Sequence, residues 1–191
     1  MNFKSDIDID LANRDEIIKL LNIIPASIIK EDNISKHNTG VYLTDIPVNP
    51  FTNSAAIDYK QAEDRGYFKI DLLNVNLYKQ VKNEEHLISL MQEPDWNKLY
   101  NKDICEQLIH INHHYDTLIK MPEPVNSIAR LAMFLAIIRP AKRHLIGKSW
   151  REVSETIWDK PLDDSYYYKK SHAISYANLV VVNLNLLDEQ V

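Results

Sequence analysis

The sequence has few of the residues that would support several common kinds of site or anchor. A single cysteine, Cys105, excludes an internal disulfide framework and is typical of a reducing compartment. With only three glycines, the chain has no glycine-rich phosphate-binding loop. The longest apolar run, LAMFLAII at 131–138, is too short to span a bilayer, and no signal peptide is recognisable. We therefore expect a cytoplasmic protein with no membrane partner.

Charge is distributed unevenly along the chain. The formal net charge of −5 argues against a protein built around non-specific binding of nucleic acid. Residues 1–64 carry 11 acidic and 6 basic side chains, whereas residues 128–151 carry six basic side chains and no acid. This basic segment is either a solvated surface patch or a surface that contacts phosphate.

The hydrophobic pattern predicts strands in the first part of the chain and helices in the second. Alternation predicts strands at 3–11, 39–46 and 66–75, with a further short strand at 55–60. Asn13 is the predicted N-cap of a helix that Pro25 ends. From Leu77 onwards a period near 3.6 predicts helices at 84–92, 102–112, 128–138, 149–158 and 175–187, although VVV at 180–182 also suits a strand.

This order of elements predicts an α+β fold. We expect an antiparallel or mixed sheet in residues 1–80, joined to a helical subdomain in residues 81–191.

Three aspartates alternate with apolar residues near the start of the chain, in SDIDIDL at 5–11. On a strand, Asp6, Asp8 and Asp10 project from one face, about 7 Å between successive neighbours. Carboxylates this close raise one another's pKa unless a cation neutralises them, and hard oxygen ligands suit Mg²⁺. The pattern therefore indicates either a divalent metal site or, more simply, the solvent face of an edge strand.

Asp71 is the candidate for a further metal ligand. It lies in the middle of the apolar strand pattern YFKIDLL, where an unpaired charge would be costly. The metal hypothesis requires Asp71 to lie on the same sheet face as Asp8, with the carboxylates of Asp8, Asp10 and Asp71 within about 6 Å of one another.

Five segments of the chain resemble, in the same order, blocks of the family C DNA polymerases, which include the alpha subunit of bacterial DNA polymerase III. The fourth resembles the family's fingers helix, and the fifth its N-K-S-H-A-x-A-Y-A helix. The segments are SDIDIDLANRDEII at 5–18, KHNTGVYL at 36–43, IDYKQAEDRGYFKIDLLNV at 57–75, MPEPVNSIARLAMFLAIIRPA at 121–141 and YYKKSHAISYANLVVVNLNLL at 167–187.

The resemblance implies a palm-like sheet of the polymerase-beta-like nucleotidyltransferase type, followed by helical fingers. Asp8, Asp10 and Asp71 would correspond to the catalytic aspartates that hold two Mg²⁺ ions. Asp6 would correspond to an outer aspartate that is not a metal ligand. Lys69 would correspond to the palm lysine, and we expect it to point to the sheet face opposite Asp71.

The resemblance also implies a nucleotide site in the helical part. Arg139 would correspond to the fingers arginine that meets the triphosphate, and Lys170, Ser171 and His172 to the block beside the nucleotide. The partners implied are a DNA primer-template and dNTPs, and the reaction is attack of a primer 3′-hydroxyl on the α-phosphate. The match at Arg139 favours phosphate contact for the basic segment.

Several departures from the family pattern weaken this assignment. The chain has no room for the thumb, the clamp-binding region or the nucleic-acid-binding barrel, and no Gly-Ser motif precedes Asp6. Asn74 replaces a family glycine, Ala141 and Lys142 replace Gly-Pro, and Lys169 replaces an asparagine. Three functions stay open: a miniature or split polymerase, phage-like and active either alone or with a second polypeptide; an inactive module that binds replisome proteins or nucleic acid; and another metal-dependent phosphoryl chemistry.

Other chemically suggestive residues have simpler interpretations. His110 and His114 would be neighbours on the predicted helix and could share a zinc ion, but no further ligand completes a site, so a polar helix face is favoured. Cys105 is interpreted as a small core residue, His37 as part of the sheet framework and Trp150 as a packing residue.

Overall fold

A computed structural model describes residues 7–163 and 165–190 of the chain. The chain divides into two compact units, with the boundary between Gln80 and Val81. The described strands all belong to the first unit, whereas helices dominate the second, so the fold is of the mixed α+β class.

The first unit contains a small mixed sheet and two short helices. The strands are β1 (Ile7–Leu11), β2 (Ile24–Lys30), β3 (Asn33–Tyr42), β4 (Val48–Asn49), β5 (Ser54–Ala55) and β6 (Ile70–Asn74). The helices are α1 (Arg14–Leu20) and α2 (Tyr59–Asp64), and a 3₁₀ helix follows at Asn76–Gln80.

Four strands form the main sheet, in the order β1-β6-β3-β2. The outer strand β1 runs parallel to β6, whereas β3 is antiparallel to both β6 and β2. The predicted strand at 66–75 is present as β6. The described part of the predicted strand at 3–11 is β1. The position of β1 at an edge agrees with the simpler interpretation of the alternating aspartates.

A wide bulge interrupts the pairing of β2 with β3. Pro25 pairs with Val41 and Ser27 pairs with Lys36, so β3 has more residues than β2 between these two pairs. The extra residues are the HNTG part of the KHNTGVYL segment. The bulge therefore places this segment beside Asp71, because Gly40 is the register partner of Asp71.

Two predictions for the first unit were wrong. The helix that Pro25 was expected to end already ends at Leu20, and Pro25 lies within β2, a strand that the sequence pattern did not predict. The expected strand at 55–60 is only β5 followed by α2. The reason is Asp58, whose carboxylate caps α2 by accepting a hydrogen bond from the Lys60 N–H at 2.9 Å and also accepts one from the Ile29 N–H at 3.0 Å.

The second unit is built from helices of very different lengths. They are α3 (Glu84–Leu90), α4 (Lys102–Cys105), α5 (Tyr115–Leu118), α6 (Ile128–Ile137), α7 (Trp150–Thr156) and α8 (Lys170–Asp188), with 3₁₀ helices at Trp96–Tyr100 and Pro140–Leu145.

Helices α6 and α8 form the centre of this unit. Phe134 and Leu135 of α6 are fully buried, and Val180 and Val181 of α8 are buried in the same core. The ambiguous VVV segment is helical because its side chains are buried within a long helix that packs on α6. In the described part of the chain, no helix combines the length and the apolar character needed to cross a membrane.

The prediction of a helix over 102–112 was also wrong beyond the first turn. Helix α4 ends at Cys105, and the chain continues in turns through His110, whose φ of 67° lies in the left-handed region. Asn183 of α8 accepts a hydrogen bond from the Ile109 N–H at 2.9 Å. This tertiary hydrogen bond uses an N–H that a continuous helix would need, so His110 and His114 do not share a helix face.

Candidate functional site

Asp8 and Asp71 are neighbours in the sheet. Asp8 on β1 is the register partner of Asp71 on the parallel strand β6, at a strand spacing of about 4.8 Å. Paired residues on adjacent strands project from the same face, and Asp10 shares that face because it lies two residues after Asp8. The sheet thus assembles these three acids on one face from two separate segments, while Asp6 lies outside the described residues.

The electrostatics of β1 reflect these neighbours. Partial burial raises the pKa of the Asp10 carboxyl above its ordinary value, and the charge of Asp8 raises it further. Burial and then the charge of Asp10 raise the pKa of Tyr78, in the 3₁₀ helix after β6. Asp10 therefore carries a charge that lacks full solvation, which is the condition under which a carboxylate gains most from a cation.

Asp71 has a different environment, because donors from the chain occupy both of its carboxylate oxygens. The hydroxyl of Thr39 donates to Oδ1 at 2.6 Å, and the ammonium of Lys69 forms a hydrogen-bonded ion pair with Oδ2. Asp71 is 9% exposed as a residue, so these contacts offset the cost of burying its charge.

The expectation that Lys69 points to the face opposite Asp71 was wrong. Residues two apart on an extended chain share a face, so Lys69 and Asp71 project together. The spacing K-x-D alone could have predicted this ion pair.

The bulge in β3 is held by His37. Its Nδ1 accepts hydrogen bonds from the Gly40 N–H at 2.9 Å and from the Thr39 N–H at 3.3 Å, so Nδ1 carries no proton. Burial lowers the pKa of His37, as does the neighbouring charge of Lys69, and both effects favour the neutral ring that these bonds need. His37 thus has the framework role expected from the sequence.

Gly40 allows β3 to approach Lys69 closely. A Cβ atom at Gly40 would lie 2.8 Å from Cδ of Lys69 and 3.0 Å from Nδ1 of His37. Sequence reasoning did not identify Thr39, although it immediately precedes Gly40 in the bulge. Its contribution depends on the pairing of Gly40 with Asp71, and no local pattern reveals that pairing.

The donor chemistry of this face fits a hard divalent cation, but the acids are not grouped as a complete site. Carboxylates from Asp8 and Asp10 offer oxygen ligands of the type that Mg²⁺ prefers. Among residues 7–163 and 165–190, however, no set of three or more His, Cys, Asp or Glu side chains is close enough together to hold a metal ion.

In the second unit, Arg139 stacks on an aromatic ring at the end of α6. Its guanidinium carbon lies 4.1 Å from the ring centroid of Tyr168, a cation–π contact. Tyr168 is buried, and it immediately precedes the lysine pair at the start of α8. The predicted arginine thus contacts the residue that lies two positions before the predicted K-S-H block.

The K-S-H block forms the first turn of α8. Lys170 and Ser171 are exposed, and the N-cap residue Lys169 makes no side-chain capping hydrogen bond to the helix. The ring of His172 contacts that of Tyr176 one turn later, at 6.5 Å between centroids. Exposed cationic side chains at a helix N-terminus suit the binding of an anionic group.

Two of the six basic residues in the basic segment, Lys142 and Arg130, make contacts within the protein. Lys142 is buried, and its ammonium donates to the Thr156 carbonyl oxygen at the end of α7, at 2.6 Å. Arg130 donates to Glu123 Oε2 at 2.8 Å and lies over the Trp150 ring. The hypothesis of phosphate contact is therefore not supported for Lys142 and Arg130.

Trp150 and Cys105 are both buried in the second unit. Trp150 is buried and donates from Nε1 to the Glu123 carbonyl at 3.1 Å, which is a packing role. Cys105 is fully buried, and burial raises the pKa of its thiol to about 11, so it is not an activated nucleophile.

Neither a protein-family model, nor a curated protein, nor a solved structure matches this chain.

Proposed function

We propose that the protein is a DNA polymerase-like nucleotidyltransferase of the family C type, a miniature or split form that adds dNTPs to a primer 3′-hydroxyl. The observation that carries this proposal is the register pairing of Asp8 with Asp71, with Asp10 on the same face. Acids from two segments far apart in sequence lie on one face of the sheet. Within β1, burial and then the charge of Asp8 raise the pKa of Asp10.

In this proposal Asp8 and Asp10 are the primary ligands of Mg²⁺, and Asp71 is the ligand of a second ion. When bound, Mg²⁺ would activate the 3′-hydroxyl and neutralise charge on the leaving pyrophosphate. The contribution of the chain is to fix carboxylates on adjacent strands, where strand geometry sets their spacing. The carboxylates of Asp8, Asp10 and Asp71 are oxygen donors of the kind that Mg²⁺ prefers. Asp71 would bind Mg²⁺ only after its ion pair with Lys69 is broken.

The second unit would bind the nucleotide through its phosphates. The guanidinium of Arg139 is oriented by Tyr168, so little side-chain freedom is lost when it meets an anion. Lys170 and Ser171 would add a cation, a hydroxyl and the positive end of the α8 dipole. His172, held against Tyr176, would line this position.

A second candidate is an inactive polymerase-derived module that binds replisome proteins or nucleic acid. Its specific support is the engagement of both Asp71 oxygens by Lys69 and Thr39, because a satisfied carboxylate needs no metal. Among the described residues, no group of three or more His, Cys, Asp or Glu side chains could hold a metal ion, which points the same way.

Incorporation of a labelled dNTP into a primer-template with Mg²⁺ separates the two candidates. The proposal predicts incorporation by the wild type and a loss of at least about 100-fold in Asp8→Asn. Asp64→Asn is the matched control, because it removes the same charge from an exposed position in the same unit. Equal incorporation by the wild type and Asp8→Asn, or none by either, would leave the binding module as the function.

A further inference from the structure

Two buried nitrogen atoms of the second unit, in Arg139 and His110, have unused hydrogen-bonding capacity. Nε of Arg139 and Nε2 of His110 have no hydrogen-bond partner among residues 7–163 and 165–190. A guanidinium keeps all its protons, and a buried donor without an acceptor costs free energy. A ligand that brings an acceptor to these atoms would recover that cost.

Stacked aromatic rings connect the two residues. The guanidinium carbon of Arg139 lies 4.1 Å from the ring centroid of Tyr168, and that centroid lies 5.4 Å from the ring centroid of Tyr176. The ring of His110 contacts the Tyr176 ring, at 4.4 Å between centroids. Arg139 and His110 therefore contact the two members of one tyrosine pair.

His110 also lies beside the K-S-H block. The ring of His172, in the first turn of α8, contacts the same Tyr176 ring that His110 contacts. His110 comes from the turns that follow α4, so it is distant in sequence from the residues proposed to bind phosphate. The fold nevertheless places it in their aromatic cluster.

The charges that act on this part of the unit are positive. Burial and then the charge of Arg139 lower the pKa of His110. Burial also lowers the pKa of His114, followed by the charges of Arg139, Arg143 and His113. Among the described residues, each charge that shifts one of these two pKa values thus belongs to a basic group. Positive charge beside unsatisfied nitrogen atoms favours an anion.

We propose that His110 is a further phosphate-binding residue of the nucleotide site and that its ring takes up a proton when the phosphate binds. Arg139 donates from Nε to one phosphate oxygen, and the protonated ring of His110 donates from Nε2 to another. The charge of Arg139 disfavours the protonated ring in the free protein, whereas a bound anion favours it. This inference rests on the proposed binding of nucleotide phosphates at Arg139.

Calorimetric titration of the full chain with sulfate, at constant ionic strength, tests the inference. Sulfate has the shape of phosphate but stays a dianion between pH 8 and pH 6, so a change in its affinity reports on the protein. We expect sulfate to bind about tenfold more tightly at pH 6 than at pH 8. His110→Asn should remove this gain, whereas His113→Asn, at an exposed position of the same segment, should keep it. An equal gain in the wild type and His110→Asn would overturn the role of His110.

A second titration, with a dNTP, separates this inference from the proposed function. Tighter binding of the dNTP than of sulfate, with the same dependence on His110, supports the inference. Binding of the dNTP that depends on Arg139 but not on His110 overturns the inference alone. Absence of dNTP binding by the wild type overturns the nucleotide site and the inference together, and any binding of sulfate would then assign the cluster to a free oxyanion.

A measurement on the wild type guards against a His110→Asn variant that does not fold. The ring signals of His110 in an NMR spectrum can be assigned through their contacts with the ring of Tyr176. We expect saturating sulfate to raise the pKa of His110 by about 1, the counterpart of a tenfold change in affinity. A pKa of His110 that is the same with and without bound sulfate would overturn the proton uptake.

Discussion

Asp8 on β1 lies directly beside Asp71 on the parallel strand β6. Like charges placed opposite each other in a sheet destabilise it unless something neutralises them. Lys69 forms an ion pair with Asp71, and Asp8 is exposed on the edge strand. The pairing of acids from two adjacent strands is the basis of the metal hypothesis.

Replacing Asp10 should make the first unit more stable at neutral pH. The folded-state pKa of Asp10 is raised by burial and by Asp8, so the stability linked to its protonated form is complete below its ordinary pKa of 3.8 and is lost as pH rises through the folded-state pKa. We expect Asp10→Asn to raise the free energy of unfolding at pH 7 by about 0.5 kcal/mol.

Urea denaturation followed by circular dichroism measures the effect of Asp10→Asn. The gain in stability should disappear at pH 3, where the carboxyl of the wild type is protonated. Asp64→Asn, an exposed site, should show no comparable gain at pH 7. A loss of stability in Asp10→Asn at pH 7 would contradict the repulsion between Asp8 and Asp10.

Gly40→Ala should disturb the acidic face by steric contact. The new methyl group would meet Cδ of Lys69 at 2.8 Å and Cβ of Ala26 at 3.1 Å, so the chain must shift. We expect a loss of about 1–3 kcal/mol in the free energy of unfolding, measured by urea denaturation, together with a weakened ion pair between Lys69 and Asp71.

Gly66→Ala provides the comparison for Gly40→Ala. Gly66 has open space around a Cβ position but a φ of 86°, so alanine there costs about 1 kcal/mol through backbone strain alone. It should leave the Lys69 signals in an NMR spectrum unchanged. A Gly40→Ala protein as stable as the wild type would show that the close approach of β3 to Lys69 is not required.

The second unit should lose stability as the solution becomes acidic. Burial and then Arg139 lower the pKa of His110, and the same two causes, with Arg143 and His113, lower that of His114. A histidine whose folded-state pKa is depressed contributes stability that is present above its ordinary pKa of 6.5 and is lost as pH falls through the folded-state value.

Tryptophan fluorescence can follow this loss, because all three tryptophans, Trp96, Trp150 and Trp158, belong to the second unit. We expect the free energy of unfolding to fall between pH 7.5 and about pH 5, and His110→Asn to reduce that fall. Asparagine is the matched replacement because it tolerates the left-handed φ of 67°. An equal fall in the variant would assign the acid sensitivity to other groups.

Arg139→Lys should weaken nucleotide binding, even though the variant keeps the positive charge at this position. Lysine lacks the planar group that stacks on Tyr168 and bonds phosphate through two N–H groups, so we expect about tenfold weaker binding of a fluorescent dNTP analogue.

Lys142→Met is the control for Arg139→Lys, because it removes a positive charge from the same basic segment. Since the Lys142 ammonium is buried on the Thr156 carbonyl, its loss should reduce stability by about 1–3 kcal/mol and leave nucleotide affinity unchanged. Equal affinities in the wild type and Arg139→Lys would remove Arg139 from the proposed nucleotide site.

Sequence pattern predicted the elements that depend on local information. The alternation around Asp8 and Asp71 and the 3.6 period of α6 and α8 correspond to the structure. The errors lie where tertiary contacts compete with local preference. Asp58 caps a helix at a predicted strand, and Asn183 takes the Ile109 N–H at a predicted helix.

The acidic residues of the candidate site could be predicted from the sequence, but the partners of Asp71 could not. Spacing places Asp8 and Asp10 on one face, and the apolar surroundings of Asp71 indicate that its charge needs a partner. That partner proved to be Lys69 with Thr39, and the latter reaches Asp71 only because the β3 bulge aligns Gly40 with it. Register across strands is a long-range property, and no local pattern encodes it.

Anomalous diffraction from crystals soaked with Mn²⁺ and a non-hydrolysable dNTP tests the central claim most directly. The claim is that the acids of β1 and β6 form a divalent metal site. We predict an anomalous peak within bonding distance of carboxylate oxygens of both Asp8 and Asp10, and no peak there in Asp8→Asn crystals. A wild-type map with no peak at this face, at full occupancy of the nucleotide, would contradict the account.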